Sequence, residues 1–313
     1  MANRDNKLEE AAKTGDLNKL YEAIKEDAHI LEKVDAIPFV DTPLHIAAAA
    51  GHVHFAIQIM RLKPSLALKL NQEGLSPIHV ALQNNHHNLV HRLVKINGDL
   101  IRVREGREGL TPLHLLCKSG DSEENITLLY EFLVTCPDSI EDVNVRNETA
   151  LHIALRYENL TAFQVLFGWL IRNVRKGAEY LERSVLSKID DDDNTILHIS
   201  TLMGNTEAVK LLVRCPYMRL NCKNSMKQTA LDLAESSEMK RILSEAGTKS
   251  GASIKSSNYK DDASKMASVD PRSNFVYRLK LNMSSERRDA YLVVMVLVIT
   301  AIYQTGLSPP GAR

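Results

Sequence analysis

Aromatic residues are scarce in this sequence, at 5% of 313 residues with a single tryptophan. Scarce aromatics combined with abundant alanine and leucine disfavour a large β core and favour helices. The chain also lacks an excess of charge of either sign, because 39 lysines and arginines balance 39 aspartates and glutamates. Chains that bind nucleic acids are usually basic, so this balance argues against a nucleic-acid partner.

The sequence also lacks the motifs that carry most enzyme chemistry. No nucleophile elbow, Walker A loop, dinucleotide fingerprint or kinase signature occurs in it. Its four cysteines include no C-x-x-C pair and are expected to be reduced thiols. The first residues, MANRDNKLEE, have no apolar stretch typical of a secretory signal peptide. We therefore expect no enzyme activity, no cofactor, no small-molecule substrate and no secretion.

One phrase returns along the chain at intervals of 34 to 46 residues. TPLHIAAAAGH at Thr42 recurs as SPIHVALQNNH at Ser76, TPLHLLCKSGD at Thr111, TALHIALRYEN at Thr149 and TILHISTLMGN at Thr195. A degenerate copy begins at Thr229, and LEEAAKTGD at Leu8 fits the same frame. The phrase resembles the ankyrin repeat, whose marker is T-P-L-H-x-A. This resemblance covers about residues 5 to 245 and implies an all-α solenoid of about seven helix-turn-helix units.

The residue types inside the phrase suit a helix that begins just after the Ser or Thr. These residues are good N-caps, and proline at the next position costs no hydrogen bond. A left-handed residue is expected to end each first helix, a conformation that glycine adopts most cheaply. The residues predicted for this place are Gly15, Gly51, Asn85, Gly120, Asn159 (in place of Glu158) and Gly204.

Eleven histidines suggest a metal site, but five of them belong to the repeat itself. The resemblance implies that these five bind loop backbone and hold neighbouring repeats together. The residues given this structural role are Thr42, His45, His79, Thr111, His114, Thr149, His152, Thr195 and His198. His87 and His91 have zinc-like spacing without a third ligand, and the run from Asp190 resembles a calcium loop without its glycine and glutamate. No metal is therefore predicted.

A solenoid of this kind binds partners along a groove formed by its loop tips and first helices. The loop that precedes each first helix is called a finger, and its tip carries charges that alternate in sign along the stack. This alternation favours a specific protein partner. The candidate contacts are Gln72, Glu73, Arg104, Arg107, Glu108, Arg146, Glu148, Asp191, Asp192, Asp193, Lys223 and Lys227.

The longest interval contains an insertion, GWLIRNVRKGAEYLER, at residues 168–183. We predict that it lengthens the second helix of the fifth repeat or the loop after it. Its basic residues, Arg172, Arg175, Lys176 and Arg183, form either a solvated helix face or a docking surface for an acidic partner or lipid headgroup.

The composition changes after the repeats, which we place at residues 1–246. Residues 247–285 are rich in serine, lysine and glycine and are predicted to be a flexible linker. Residues 286–313 contain RDAYLVVMVLVITAIYQTGLSPPGA, which resembles the start of the PGG domain of plant ankyrin-repeat membrane proteins. The matching residues are Arg288, Asp289, Gln304, Gly306, Pro309, Pro310 and Gly311, with Ala312 in place of the last glycine. In that family further membrane helices follow, so residues 286–313 resemble a truncated domain.

An uncharged apolar stretch in this last segment is predicted to form a hydrophobic helix. Its apolar residues are Tyr291, Leu292, Val293, Val294, Met295, Val296, Leu297, Val298, Ile299, Ala301, Ile302 and Tyr303. As a helix it would span roughly 20 Å, whereas a bilayer core is roughly 30 Å thick. Extension to residues 290–307 brings the length close to what a bilayer needs. Arg287 and Arg288 before it would keep the repeats cytosolic.

The resemblance implies an adaptor in plant innate-immune or stress signalling, attached to a membrane, with the plasma membrane expected. The alternative is a soluble cytoplasmic scaffold or decoy that binds the same partner without an anchor.

Overall fold

The computed structural model describes residues 2–175 and 177–254, and their regular structure is helical apart from an isolated bridge between Val143 and Thr149. The α-helices in these ranges are α1 Ala2–Thr14, α2 Leu17–Glu26, α3 Ile30–Ala36, α4 Pro43–Ala50, α5 Val53–Leu62, α6 Pro77–Gln83, α7 His87–Ile96, α8 Pro112–Lys118, α9 Glu123–Thr135, α10 Ala150–Arg156, α11 Leu160–Arg172, α12 Ala178–Ser187, α13 Ile196–Leu202, α14 Thr206–Leu212, α15 Ala230–Leu233 and α16 Ser237–Glu245. Short 3-10 turns follow α5, α7 and α9, at Pro64–Leu68, Gly98–Arg102 and Pro137–Glu141.

The helices form seven successive pairs in two rows. The inner row is made of α1, α4, α6, α8, α10, α13 and α15, each packed against the next. The outer row includes α5, α7 and α9, which pack in the same order. The core lies between the rows, where small residues such as Ala47 and Ala48 let neighbouring inner helices approach, and Phe55, Phe132 and Phe163 fill the space behind them. The prediction of an all-α solenoid of about seven helix-turn-helix units is confirmed.

The start of four inner helices is fixed by a reciprocal pair of contacts between the N-cap threonine and the repeat histidine. In the second repeat, the Thr42 backbone N–H donates to His45 Nδ1 at 3.2 Å, and the His45 backbone N–H donates to Thr42 Oγ1 at 3.4 Å. The same box forms at Thr111, Thr149 and Thr195. Because Nδ1 accepts a hydrogen bond from the threonine N–H here, the proton of the neutral ring sits on Nε2.

The ends of the inner helices follow the prediction in four copies and differ in two. Gly15, Gly51, Asn85 and Gly204 are left-handed, with φ between 57° and 73°. In the fourth copy, Gly120 is not left-handed, since α8 ends at Lys118 and the chain continues in an extended conformation at Ser119.

In the fifth copy, Glu158 itself is left-handed, with φ 55°, and the expectation that Asn159 takes this place is wrong. The Asn159 side chain caps α11 instead, because its Oδ1 accepts a hydrogen bond from the Ala162 N–H at 2.9 Å. Its amide also donates to the Ser119 carbonyl at 2.8 Å. An N-cap residue needs an extended rather than a left-handed backbone. The left-handed conformation is therefore adopted by Glu158, the residue before Asn159.

The fingers are joined to one another by backbone hydrogen bonds at their tips. The N–H groups of Gly106, Val145, Asp191 and Ser225 donate to the carbonyls of Gly74, Glu108, Arg146 and Asp192, at 2.7 to 3.2 Å. One residue of each tip is left-handed, and these residues are Gly74, Gly109, Asn147, Asp193 and Lys227. The tips therefore form one continuous edge rather than independent loops.

Residues 168–172 of the insertion belong to α11, the second helix of the fifth repeat, as one alternative predicted, whereas residues 178–183 begin an additional helix that neither alternative included. The helix α11 ends at Arg172, and α12 begins after left-handed Gly177 and buries Leu181 and Val185. Arg183 lies in α12 with its guanidinium 4.6 Å from the ring centroid of Tyr217, so it does not belong to a solvated basic face.

Residues 247–254, placed at the start of the predicted linker, contact the last repeat. Gly251 N–H donates to Asp232 Oδ2 at 2.7 Å, and Thr229 Oγ1 donates to the Lys249 carbonyl at 2.8 Å. Asp232 stands where other copies have histidine, and as an acceptor it binds an N–H where histidine binds a carbonyl.

The rest of 247–285 and all of 286–313, with the predicted membrane segment, lie outside the described residues. Within 2–175 and 177–254, no helix combines the length and apolarity needed to cross a bilayer.

Candidate functional site

The repeat histidines connect each inner helix to the following finger. Nε2 donates to a finger carbonyl from His45 to Leu75 at 3.0 Å, from His79 to Leu110 at 3.1 Å, from His114 to Glu148 at 3.2 Å and from His198 to Gln228 at 3.2 Å. His152 is buried in the same way but its Nε2 completes no hydrogen bond. The rings of His45, His79, His114 and His198 therefore hold their fingers in place relative to the inner row.

These histidines are neutral at physiological pH. Burial lowers the pKa of His79, His114 and His152 to about 4, because the charged imidazolium is poorly solvated there. Burial also lowers the pKa of His45 and His198. Their role in the site is to position the fingers, without a charge that a partner could contact.

The fingers and inner helices line an open groove. One section, of about 730 Å³, runs past Asp41, Ala49, Glu73 and Gln83. A second section, of about 540 Å³, continues along the third and fourth repeats and includes Arg107 and other charged residues. Glu73, Leu75 and Gln83 line both sections, so they are parts of one groove. A surface of this length suits an extended protein segment.

Among the charged residues that line these two sections, acidic residues outnumber basic ones. Lys118 lies 3.4 Å from Glu108, so this lysine is already paired. Glu73 and Glu105 line the same stretch. Burial raises the pKa of Glu105, and the neighbouring Glu108 carboxylate adds to the rise.

Ten of the twelve predicted contact residues are exposed on the fingers, and Glu73, Arg107 and Glu108 among them line the groove. The exposed ten are Gln72, Glu73, Arg104, Arg107, Glu108, Arg146, Asp191, Asp192, Asp193 and Lys227. Lys223 is half-buried instead, and its Nζ donates to the Ile254 carbonyl at 2.8 Å. Its ammonium is therefore engaged by the chain's own backbone.

Glu148 is fully buried, so its prediction as a partner contact is wrong. Its carboxylate accepts from Asn144 Nδ2 at 2.8 Å and pairs with Arg146 at 3.1 Å and with Arg156. Arg156 also pairs with Asp190 in the next finger, at 2.6 Å. Glu148 is thus part of an ion network that joins α10 to two fingers, and it does not face the groove.

The equivalent position in other copies supplied a signal for this burial. The residue just before each N-cap is Leu75 in the third repeat and Leu110 in the fourth, and both are buried. Asn194 is also buried at this position, whereas Asp41 is exposed, so the two leucines indicated burial of Glu148 without fixing it.

The metal-like patterns have structural explanations. His87 Nε2 lies 2.8 Å from Asn125 Oδ1, and His91 Nδ1 lies 2.7 Å from Glu131 Oε2, so both rings contact the next outer helix. Asp190 Oδ1 accepts the N–H groups of Asp192 and Asn194 at 3.0 and 2.8 Å and so closes a finger turn. Among the residues that the structure describes, no group of three or more His, Cys, Asp or Glu could hold a metal ion.

Paired helices, capping histidines and a row of fingers over a groove define a protein-interaction module that typically has no enzymatic activity. The family model for ankyrin repeats, in three copies, matches residues 8–105. The chain is 37% identical over 309 residues to ankyrin repeat-containing protein BDA1 of Arabidopsis thaliana, a match that covers 96% of this chain and 71% of that relative. The chain belongs to the ankyrin repeat-containing proteins.

Other similarities concern the repeats alone. A probable 26S proteasome regulatory subunit, p28, of Saccharomyces cerevisiae is 24% identical over 60% of this chain and 76% of its own length. The ankyrin domain of Bcl-3 aligns with 76% of this chain and 97% of its own, with a TM-score of 0.59 at 19% identity. The human ASB11 ankyrin domain aligns with 76% of this chain and 96% of its own, with a TM-score of 0.52 at 19% identity. At these identities the structural likeness concerns the fold.

Proposed function

We propose that this protein is an adaptor in plant defence or stress signalling that is attached to the cytosolic face of a membrane. In this account the groove between the fingers and the inner helices binds a protein partner. The residues around 290–307 attach the chain to the membrane, with the plasma membrane as the expected site.

The observation that carries the proposal is the extent of the Arabidopsis match. It covers 96% of the 313 residues, so no more than about 13 residues fall outside it. The similarity therefore continues past the repeats and through most of residues 247–313. The resemblance of residues 286–313 to the start of a PGG domain supports a membrane role for this part of the chain.

A soluble scaffold or decoy is the second candidate function. The apolar stretch Tyr291–Tyr303 is shorter than an ordinary membrane-spanning helix, which has about 20 residues. Without an anchor, the same groove would bind its partner in the cytoplasm and withhold it from membrane-bound relatives.

Alkaline carbonate extraction of membranes from plant cells separates the two candidates. The tagged full chain is compared with a version that ends at Ser285 and with a full-length Val294→Lys/Val298→Lys variant. Each lysine near the centre of a spanning helix costs roughly 2.5 to 3.5 kcal/mol of insertion free energy. We expect the full chain in the membrane pellet and both altered versions in the soluble fraction. A full chain that is extracted as readily as the shortened one would contradict membrane attachment and favour the soluble scaffold.

A further inference from the structure

The seventh and eighth residues after the N-cap lie at the end of the inner helix, and their chemistry changes along the stack. In the second and third repeats these pairs are Ala49–Ala50 and Gln83–Asn84, which line the first groove section. In the sixth repeat the same two positions hold Leu202 and Met203. Since successive repeats are stacked copies of one unit, equivalent positions face the same side.

Large apolar side chains are therefore exposed at one end of the groove. Tyr157, Leu202 and Met203 are 46%, 52% and 37% exposed, and we call these three residues the apolar ledge. The Tyr157 ring is approached by the Lys118 ammonium at 5.3 Å from its centroid, which places the ring on the groove side of the fourth repeat. Exposed apolar residues that adjoin one another mark interaction surfaces, and tyrosine and methionine are frequent in them.

The finger of the sixth repeat carries acidic groups. Asp192 and Asp193, called here the acidic tip, are exposed and form no salt bridge among the described residues. Asp192 stands three residues before the N-cap, as do Glu73 and Glu108, which line the groove, whereas Asp193 lines a separate pocket with Asn147 and Lys188. Arg156, the basic residue on the inner helix of the fifth repeat, already forms salt bridges with Glu148 and Asp190. Because Asp192 holds the position of the groove-lining Glu73 and Glu108, we infer that the groove beside Leu202 and Met203 is bordered by an acidic residue.

We propose that the ledge and the acidic tip bind a protein segment that presents a large apolar side chain together with an arginine or lysine. This inference rests on the proposed function of the groove and names the chemistry of its partner. The apolar side chain would lie on Leu202 and Met203, and the cation would face Asp192, with Asp193 adding to the negative potential. A membrane surface or a nucleic acid is anionic and would be repelled by the acidic tip, so a basic protein segment fits best.

The test uses a display library of random twelve-residue peptides, selected on the immobilised full chain. We expect the selected peptides to share an apolar residue near an arginine or lysine. One of them is then synthesised, and its affinity is measured by fluorescence anisotropy for the full chain and three variants. These are the ledge variant Leu202→Gln/Met203→Gln, the tip variant Asp192→Asn/Asp193→Asn and a control, Leu62→Gln, exposed on the outer row.

The ledge variant is expected to weaken binding at least ~10-fold, as truncation of a central apolar contact does. The tip variant is expected to weaken binding and to make it less sensitive to salt. Asparagine tolerates the left-handed conformation of position 193, so the tip variant keeps its backbone. The control should bind like the unaltered chain, and circular dichroism checks that every variant is folded.

Two results would overturn the inference: selected peptides without basic residues, or a ledge variant that binds as tightly as the unaltered chain. A fourth variant, Glu73→Gln/Gln83→Ala, then decides what else fails. If it abolishes binding, the groove remains the binding surface and only the ledge assignment is lost. If it too binds normally, the proposed groove function is contradicted as well.

Discussion

Mild acid is expected to destabilise the repeats through their buried histidines. His79, His114 and His152 are fully buried, and burial lowers the pKa of each to about 4. In the unfolded chain a histidine has a pKa near 6.5, so between pH 6.5 and 4 the unfolded state binds more protons than the folded state. Stability that is fully present above pH 6.5 is therefore lost as the pH falls toward 4.

The size of the effect follows from these values. One pKa unit corresponds to about 1.4 kcal/mol, and integration from pH 7 to pH 5.5 gives about 1 kcal/mol for each imidazole. The three rings together should lower the free energy of unfolding by between about 3 and 4 kcal/mol. His45 and His198, whose pKa is also lowered by burial, shift the result in the same direction. Carboxylates contribute little, since ordinary ones titrate below this range.

The assay is urea unfolding of the full chain at pH 7 and pH 5.5, followed by helical circular dichroism. The matched control is His114→Gln, because glutamine at this position can still accept the Thr111 N–H but does not titrate in this range. This variant should lose about a third of the pH dependence of the three rings. A free energy of unfolding that changes by less than about 1 kcal/mol between the two pH values would refute the burial argument.

Two further predictions concern single contacts. Arg156→Met should lower the free energy of unfolding by about 3 to 5 kcal/mol, because it removes the cation paired with buried Asp190 and leaves buried Glu148 with Arg146 alone. Gly74→Ala should destabilise more than Gly204→Ala, since a Cβ at Gly74 would lie 3.0 Å from the neighbouring finger tip whereas nothing lies within 4 Å at Gly204. Both glycines are left-handed, so the shared conformational cost of about 1 to 2 kcal/mol cancels in the comparison.

Thermal unfolding of these variants gives the measurement. For the first prediction, the double variant Glu148→Gln/Arg156→Met should recover part of the lost stability, because one uncompensated charge is removed. Equal stability of the single and double variants would argue against a stabilising ion network. For the second, equal melting temperatures of the two alanine variants would show that contact between finger tips contributes nothing.

The fold was predictable because each element is specified locally and then repeated. Thr111, Pro112 and His114 fix the start of a helix within one turn, and the same types recur in other copies. Repetition also implies that faces too apolar to stand alone are buried by stacking. Glu148 was predicted to be an exposed partner contact because it is charged, whereas the leucines at the same position of the third and fourth repeats indicated burial. For Glu148, the residues at the same position in other copies are more informative than its own residue type.

The features that differ from the sequence predictions occur where one copy departs from the others. The segment after α11 is longer than the short 3-10 turns that follow α5, α7 and α9, so these copies did not indicate a separate helix α12. Glu158 adopts a left-handed conformation that the sequence assigned to Asn159, because Asn159 caps α11 and also donates to the Ser119 carbonyl of the preceding repeat, a tertiary contact. The apolar ledge was not predicted from the sequence, since single apolar residues at helix ends do not indicate a binding surface unless the position of the groove is known.

Site-specific photo-crosslinking in plant cells tests the central claim, that the groove is the protein-binding surface, most directly. A photoreactive amino acid replaces Gln83, which lines both groove sections, or Tyr130, which is exposed on the outer helix α9. We predict a covalent adduct with one protein from position 83 and none from position 130. Adducts from position 130 alone would contradict the account and place the binding surface on the outer row.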